Sequence, residues 1–173
     1  MTTTLELTGA LTSSLNWLQS ETDSDTVTNT IKDTGTFNYT KNFTSGTGSG
    51  EIDTIWHTVD TLTVGGATQY DLTSLTRSLF SSSFTESFAK VKGLVLENLS
   101  TSSGANISLS CTGTNAFTGP FLGTGIIDIP AKSPFNCGNY MFGWPVSASS
   151  KLIQINDTGG SGTKYRIAVI GTA

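Results

Sequence analysis

The longest apolar run of the chain falls in residues 88–99 and opens with an alternating pattern. Val91 belongs to one side of an extended strand there, and Lys90 and Lys92 belong to the other side. The run then becomes apolar on both sides at residues 94–96, which is typical of a strand that is buried on both faces. We therefore predict a central strand of the core in this stretch, with the rest of the fold arranged around it.

Shorter runs rich in Thr, Ser and β-branched residues predict further strands along the chain. Each run is bounded by Gly, Pro, Asn or Asp, the residues that favour turns. The runs that we assign to strands are residues 51–64, 69–72, 106–111, 125–130, 151–155 and 164–171. Together with the central strand and the N-terminal segment they give about eight to ten strands. This pattern predicts an all-β fold: a β-sandwich or jelly roll of antiparallel strands with at most one short helix.

One segment has the spacing of a short helix instead of a strand. Either Asp71 or Thr73 is suited to cap the first turn of such a helix. The spacing predicts one or two helical turns before the central strand begins. The apolar residues that carry this prediction are Leu72, Leu75, Leu79 and Phe80.

The N-terminal segment has an apolar face of its own. Leu5, Leu7, Leu11, Leu15 and Trp17 fall on one side of an extended chain, and the Thr, Ser and Gly residues between them favour strand over helix. These five residues are a candidate interface arm that would pair with another chain as an added strand. The alternative is that they form the first strand of the chain's own sandwich.

A second stretch extends this region to a Gly-rich turn. Phe37, Tyr39 and Phe43 stand among polar residues and predict a strand that could form the other half of a hairpin, before a flexible turn at residues 45–50. We therefore expect one β-sandwich domain over residues 1–173, in which residues 1–50 are a candidate hairpin or arm extension.

Composition narrows the classes of function. The chain has 173 residues, 13% charged residues, 19 glycines and a net charge of −4. Nucleic-acid binding needs clustered cations, and the nine Lys and Arg residues are scattered, so we expect no nucleic-acid partner. No apolar run is long enough to cross a bilayer and no secretory signal is visible. We expect no membrane partner and synthesis in the cytoplasm.

No pattern of reactive side chains predicts a catalytic or metal site. His57 is the only histidine, so it cannot form a multi-histidine zinc site, and no Gly-x-Ser-x-Gly motif accompanies it. Cys111 and Cys137 are too far apart for a metal knuckle, and we expect two free, largely buried thiols. We predict no catalytic residue, no metal and no cofactor. The carboxylates considered for glycoside cleavage show no spacing that pairs them; they are Asp53, Asp60, Glu86, Glu97 and Asp128.

A series of short motifs resembles small structural proteins that are encoded by tailed bacteriophages. The resemblance runs from about Thr36 to the C-terminus and departs from the related patterns at Ser133–Cys137, where a Gly-rich turn is common. It implies a β-sandwich component of a virion, often a capsid decoration (cement) protein. The motifs are Gly46–Gly48, Ile55–Thr58, Tyr70–Leu75, Phe88–Asn98, Asn115–Phe117 and Tyr165–Gly171.

The resemblance leads to a functional expectation. It implies a non-enzymatic structural protein on the capsid surface of the virion, which binds the major capsid protein, stabilises the phage head and forms a homotrimer. The alternative is a receptor-binding or carbohydrate-binding module of a tail or head fibre, since β-sandwiches bind sugars through exposed aromatic rings. Exposure discriminates the two, because buried rings cannot stack on a sugar. The aromatic residues available for sugar binding are Trp17, Trp56, Tyr140 and Trp144.

Overall fold

The computed structural model of the chain describes residues 6–23, 29–79, 82–121, 123 and 125–173. The regular secondary structure of these residues consists of strands. The chain divides into two compact units, one formed by Ala10–Asn42 and the other by the remainder. The strands are β1 (Gly9–Asp23), β2 (Asn29–Ser45), β3 (Glu51–Ile52), β4 (Thr54–Thr61), β5 (Ala67–Asp71), β6 (Leu75–Leu79), β7 (Ser82–Glu86), β8 (Lys90–Asn98), β9 (Ile107–Ser110), β10 (Ile126–Ile129), β11 (Pro134–Gly138), β12 (Trp144–Pro145), β13 (Leu152–Asp157) and β14 (Lys164–Thr172).

Two antiparallel sheets form the larger unit. One sheet has the order β10-β9-β13-β5, and the other has the order β11-β8-β14-β4 with β12 also paired to β8. Apolar side chains from both sheets form a single buried cluster, so the sheets pack face to face in the manner of a β-sandwich. The predicted all-β fold class is confirmed. Among the largest buried side chains of the cluster are Phe88, Phe117, Ile153 and Tyr165.

The predicted central strand is β8, which pairs with β14 on one side and with β11 and β12 on the other. Residues 91–94 are all buried, whereas Val95 is half-buried. Lys92 is only 1% exposed although it belongs to the polar side of the pattern. Its ammonium group donates a hydrogen bond to the carbonyl oxygen of Gly48, and burial lowers its pKa. The register of β8 against β14 shifts between Ile170 and Gly171, which leaves Lys92 as the extra residue of a β-bulge in β8.

The prediction of one or two helical turns is wrong for residues 72–79, and Phe80 lies outside the described residues. The segment forms a turn followed by β6, which pairs antiparallel with β7. The Asp71 carboxylate accepts hydrogen bonds from the amide and the hydroxyl of Thr73, so the expected helix cap closes a turn instead. Leu72 and Leu75 are three residues apart, and a turn followed by a strand fits this spacing as well as a helix does. Leu75 is buried in the core, and an Arg77–Glu86 ion pair of 2.7 Å joins β6 to β7.

Both cysteines are free thiols, as predicted. Burial raises the pKa of Cys111 and of Cys137 to about 12, so neither thiol forms a reactive thiolate near neutral pH. Across the described parts of the chain, no helix has the length and apolar character needed to cross a membrane.

Candidate interaction surface

Two contacts give the register of the smaller unit, which we call the ribbon (Ala10–Asn42). The hydroxyl oxygens of Thr12 and Thr40 are 3.3 Å apart. A Cβ atom at Gly35 would lie 1.8 Å from the indole of Trp17, so the ring covers the glycine backbone. Both pairs of residue numbers add to the same sum, as an antiparallel register requires. β1 and β2 therefore form an antiparallel ribbon in which Leu15 lies opposite Phe37.

This register separates an apolar face of the ribbon from a polar one. Successive side chains of a strand point to opposite faces, so the odd-numbered residues share a face with Trp17. Ala, Thr, Ser and Asn fill most of the opposite face, where Leu18 is the large apolar exception. The apolar face carries Leu11, Leu15, Trp17, Phe37 and Tyr39.

The apolar face of the ribbon is exposed. Leu15 and Phe37 are 61% and 58% exposed, and Trp17 and Tyr39 are each 45% exposed. A two-stranded ribbon cannot bury one of its faces by itself and is marginally stable in water when isolated. Exposed apolar patches of more than a few hundred Å² mark interaction sites in native proteins. The face has the composition of a surface that is covered in a larger assembly.

Among residues 10–18 and 34–42 of the ribbon, whose side chains the structure describes, one charged side chain belongs to the apolar face. The Lys41 ammonium group lies 5.5 Å from the centre of the Tyr39 ring, within the range of a cation–π interaction. The aliphatic stem of a lysine in this position adds to the apolar surface. The face is therefore apolar with one cation at its edge.

The candidate arm residues fall in different places. Leu5 lies outside the described residues. Leu7 precedes β1 and is half-buried, and its amide donates a 3.4 Å hydrogen bond to the Ser45 hydroxyl. Leu11, Leu15 and Trp17 lie on the apolar face of the ribbon. β1 pairs with β2 and belongs to neither sheet of the sandwich.

Phe37 and Tyr39 belong to the predicted hairpin but are not among the predicted interface residues. Parity shows that Phe37 and Tyr39 share one side of β2 with Gly35, the residue covered by Trp17. Only the register between β1 and β2 shows that this side is also the side of Leu15.

A second apolar surface lies on the outer face of the larger sheet. His57 and Val95 flank Ala168 in register on β4, β8 and β14, opposite to the core-facing residues. The small side chain of Ala168 leaves an open hollow of about 410 Å³, with Val59 and Arg166 at its side. Arg166 lines the hollow, and its guanidinium group is ion-paired with Glu97, which neutralises its charge.

The carboxylates considered for glycoside cleavage are not brought together. Asp60 lies at the core side of β4 and accepts a 3.2 Å hydrogen bond from the Tyr70 hydroxyl, whereas Glu97 projects from the opposite face of the sheet. Glu86 is paired with Arg77 on β7. The remaining two, Asp53 and Asp128, are exposed. Asp53 accepts a hydrogen bond from the amide of Ala173 at the end of the chain, and Asp128 lies on β10.

The four aromatic residues considered for sugar binding do not form one exposed platform. Trp56 is 3% exposed, and its indole donates a 3.0 Å hydrogen bond to the Thr76 carbonyl. Trp144 is half-buried against the core cluster, and Tyr140 packs against Phe43 at 5.2 Å. Trp17 alone of the four is exposed.

Within the described residues, no group of three or more His, Cys, Asp and Glu side chains is placed to hold a metal ion. The apolar face of the ribbon and the hollow at Ala168 are two candidate interaction surfaces. No protein-family model, curated protein or solved structure matches this chain.

Proposed function

We propose that the chain is a non-enzymatic structural protein of a phage virion, a decoration protein that binds the major capsid protein at the capsid surface and stabilises the head. In this proposal it is made in the host cytoplasm, joins the particle as a homotrimer, and uses neither a cofactor nor nucleic acid. The sequence resemblance supplies the phage context. The physical properties of the chain support a role in binding other proteins.

The observation that carries the proposal is the exposed apolar face of the ribbon. Leu15 and Phe37 lie opposite each other on that face and are each more than half exposed. Sites for small-molecule substrates are typically concave with a few convergent polar groups, whereas this face is a two-stranded surface on which Lys41 is the charged side chain among residues 10–18 and 34–42. Such a face is suited to permanent burial against protein.

The arrangement of the acidic and aromatic side chains supports the same proposal. The carboxylates are held by separate partners on different faces of the fold. Of the four aromatic residues considered for sugar binding only Trp17 is exposed, which disfavours the alternative of a carbohydrate-binding or receptor-binding fibre module that uses those four rings, since buried rings cannot stack on a sugar.

Mass spectrometry of purified particles, from cells that produce this chain, tests the proposal. We expect the chain in the particles at a fixed ratio to the major capsid protein, and we expect particles without it to lose their contents at a lower temperature. Particles that lack the chain, or an unchanged melting temperature without it, would end the proposal.

The salt dependence of the attachment provides a further check. Surface ion pairs are screened by salt, whereas apolar contacts are not weakened by it. Because the ribbon face has a single charged side chain among residues 10–18 and 34–42, we expect the chain to stay on the particle from low salt to about 1 M NaCl. Release between these conditions would indicate that charges on another surface hold it.

A further inference from the structure

We infer that the apolar face of the ribbon is covered by the ribbons of other copies of this chain, packed apolar face against apolar face. The inference deepens the proposed function, on which it rests in treating the chain as a structural protein that works in several copies. It assigns the self-association of the chain to one surface, defined by Leu11, Leu15, Trp17, Phe37 and Tyr39.

The exposed area of this face approaches what self-association needs. Large side chains present about 200 Å² each when fully exposed, so exposed fractions of 45–61% leave roughly 400 Å² on the four most exposed residues. Two such faces bring together about 800 Å² before the half-buried Leu11 and the lysine stem are added. The sum approaches the about 1,000 Å² of a specific protein–protein interface.

The charge of the face permits contact between identical surfaces. Copies that meet through the same patch place like charges against one another, which is costly when the patch is charged. Among residues 10–18 and 34–42, the side chains of this face are neutral except for Lys41, whose ammonium group lies over the Tyr39 ring. Identical ribbons can therefore meet through this part of the face without burying opposed like charges.

Face packing differs from the addition of one strand to the edge of another. Edge pairing uses backbone hydrogen bonds and is nearly indifferent to the identity of outward side chains, whereas face packing depends on the apolar side chains themselves. The ribbon offers a matched pair for this distinction. Leu15 and Leu18 have the same side chain on the same strand and are 61% and 64% exposed, but they lie on opposite faces.

Sedimentation equilibrium of the full chain at micromolar concentration tests the inference. We expect the wild-type chain to be oligomeric, and we expect Leu15→Thr and Phe37→Thr together to raise the dissociation constant at least tenfold. Threonine favours strands, so the ribbon should persist in the variant. The control Leu18→Thr should leave the dissociation constant within about twofold of the wild type, and thermal melting should show that the sandwich of each variant is folded.

Fluorescence gives an independent readout. The chain has three tryptophans, of which Trp56 is buried and Trp144 is half-buried. Emission of the exposed Trp17 should therefore shift to shorter wavelength as the protein concentration rises, and the Leu15→Thr, Phe37→Thr double variant should lose the shift.

A wild-type monomer at about 50 μM would overturn the inference and assign the face to a different protein, with the proposed virion role intact. Equal weakening by Leu15→Thr and by Leu18→Thr would also overturn it, in favour of edge pairing. A dimer that the double variant dissociates would uphold the ribbon interface and refute the trimer. Absence of the chain from particles would refute the virion role without bearing on the self-association.

Discussion

Asp157 at the end of β13 joins two turns that are far apart in sequence. Its carboxylate accepts hydrogen bonds from the amide of Gly65 at 2.9 Å, the amide of Gly162 at 3.0 Å and the hydroxyl of Thr163 at 3.2 Å. The residue is 7% exposed. Burial acts to raise the pKa of Asp157, but the hydrogen bonds outweigh it and hold the pKa below its ordinary value.

The three bonds set the expected cost of substitution. A hydrogen bond to a charged group contributes about 1.5–3 kcal/mol and a neutral one about 1 kcal/mol. In Asp157→Asn the amide oxygen can keep both glycine amides and the hydroxyl of Thr163 can turn to accept, so we expect a loss of about 1–3 kcal/mol. Asp157→Ala leaves the donors without an acceptor, and we expect a loss of about 3–5 kcal/mol, or roughly 10 °C in Tm.

The contribution of this carboxylate depends on pH in a defined direction. Because the folded-state pKa of Asp157 is depressed, its stabilisation is fully present above the pKa of an unfolded aspartate, about 3.9. It is lost as the pH falls through the folded-state pKa. The difference in unfolding free energy between the wild type and Asp157→Asn should therefore be constant from pH 7 to pH 5 and should shrink below about pH 4.

Urea unfolding of the wild type, Asp157→Asn and Asp157→Ala from pH 7 to pH 3 measures both effects. Asp128→Asn, at an exposed position on β10, is the matched control and should change the unfolding free energy by less than about 0.5 kcal/mol. An Asp157→Asn variant as stable as the wild type at pH 7 would refute the role of the charge. A gap that widens on acidification would refute the direction of the linkage.

Three further substitutions test the sandwich. Lys92→Met should make stability less dependent on pH in alkali. Burial lowers the folded-state pKa of Lys92, so wild-type stability should rise between that pKa and the pKa of an unfolded lysine, about 10.4. Parallel curves of unfolding free energy against pH for the wild type and the variant, from urea titrations at pH 8 to 11, would contradict this. Gly171→Ala should prevent stable folding, since the new Cβ would lie 2.0 Å from the Lys90 carbonyl oxygen, and a native circular dichroism spectrum with an unchanged Tm would show that the bulge relaxes. Leu96→Ala should lower the unfolding free energy by about 2–5 kcal/mol in urea, because Leu96 is fully buried in the central strand, and a loss below about 1 kcal/mol would place this residue outside the packed core.

The local sequence pattern was sufficient to predict a strand where the polar and apolar positions depend only on how that strand is buried. The alternation and then the continuous apolar run of residues 88–99 predicted β8 as a central strand, because burial on both faces removes the polar positions from a strand. Pro130 directly after Ile129 likewise marked the end of β10, since proline cannot continue a ladder of backbone hydrogen bonds. The parity of Leu11, Leu15 and Trp17 defined one apolar face before the partner strand was known.

Contacts between distant residues decided the rest. A leucine spacing of three fits a helical turn or a turn followed by a strand, and only the pairing of β6 with β7 selects the second. Phe37 joins Leu15 on one face because of the ribbon register, and Asp157 gains one of its three donors, the Gly65 amide, from a turn 92 residues away. Lys92 is buried because the Gly48 carbonyl meets its ammonium group from 44 residues away. Periodicity along a strand specifies which side chains share a side, whereas the neighbour that covers them is fixed by long-range packing, which no local window of sequence contains.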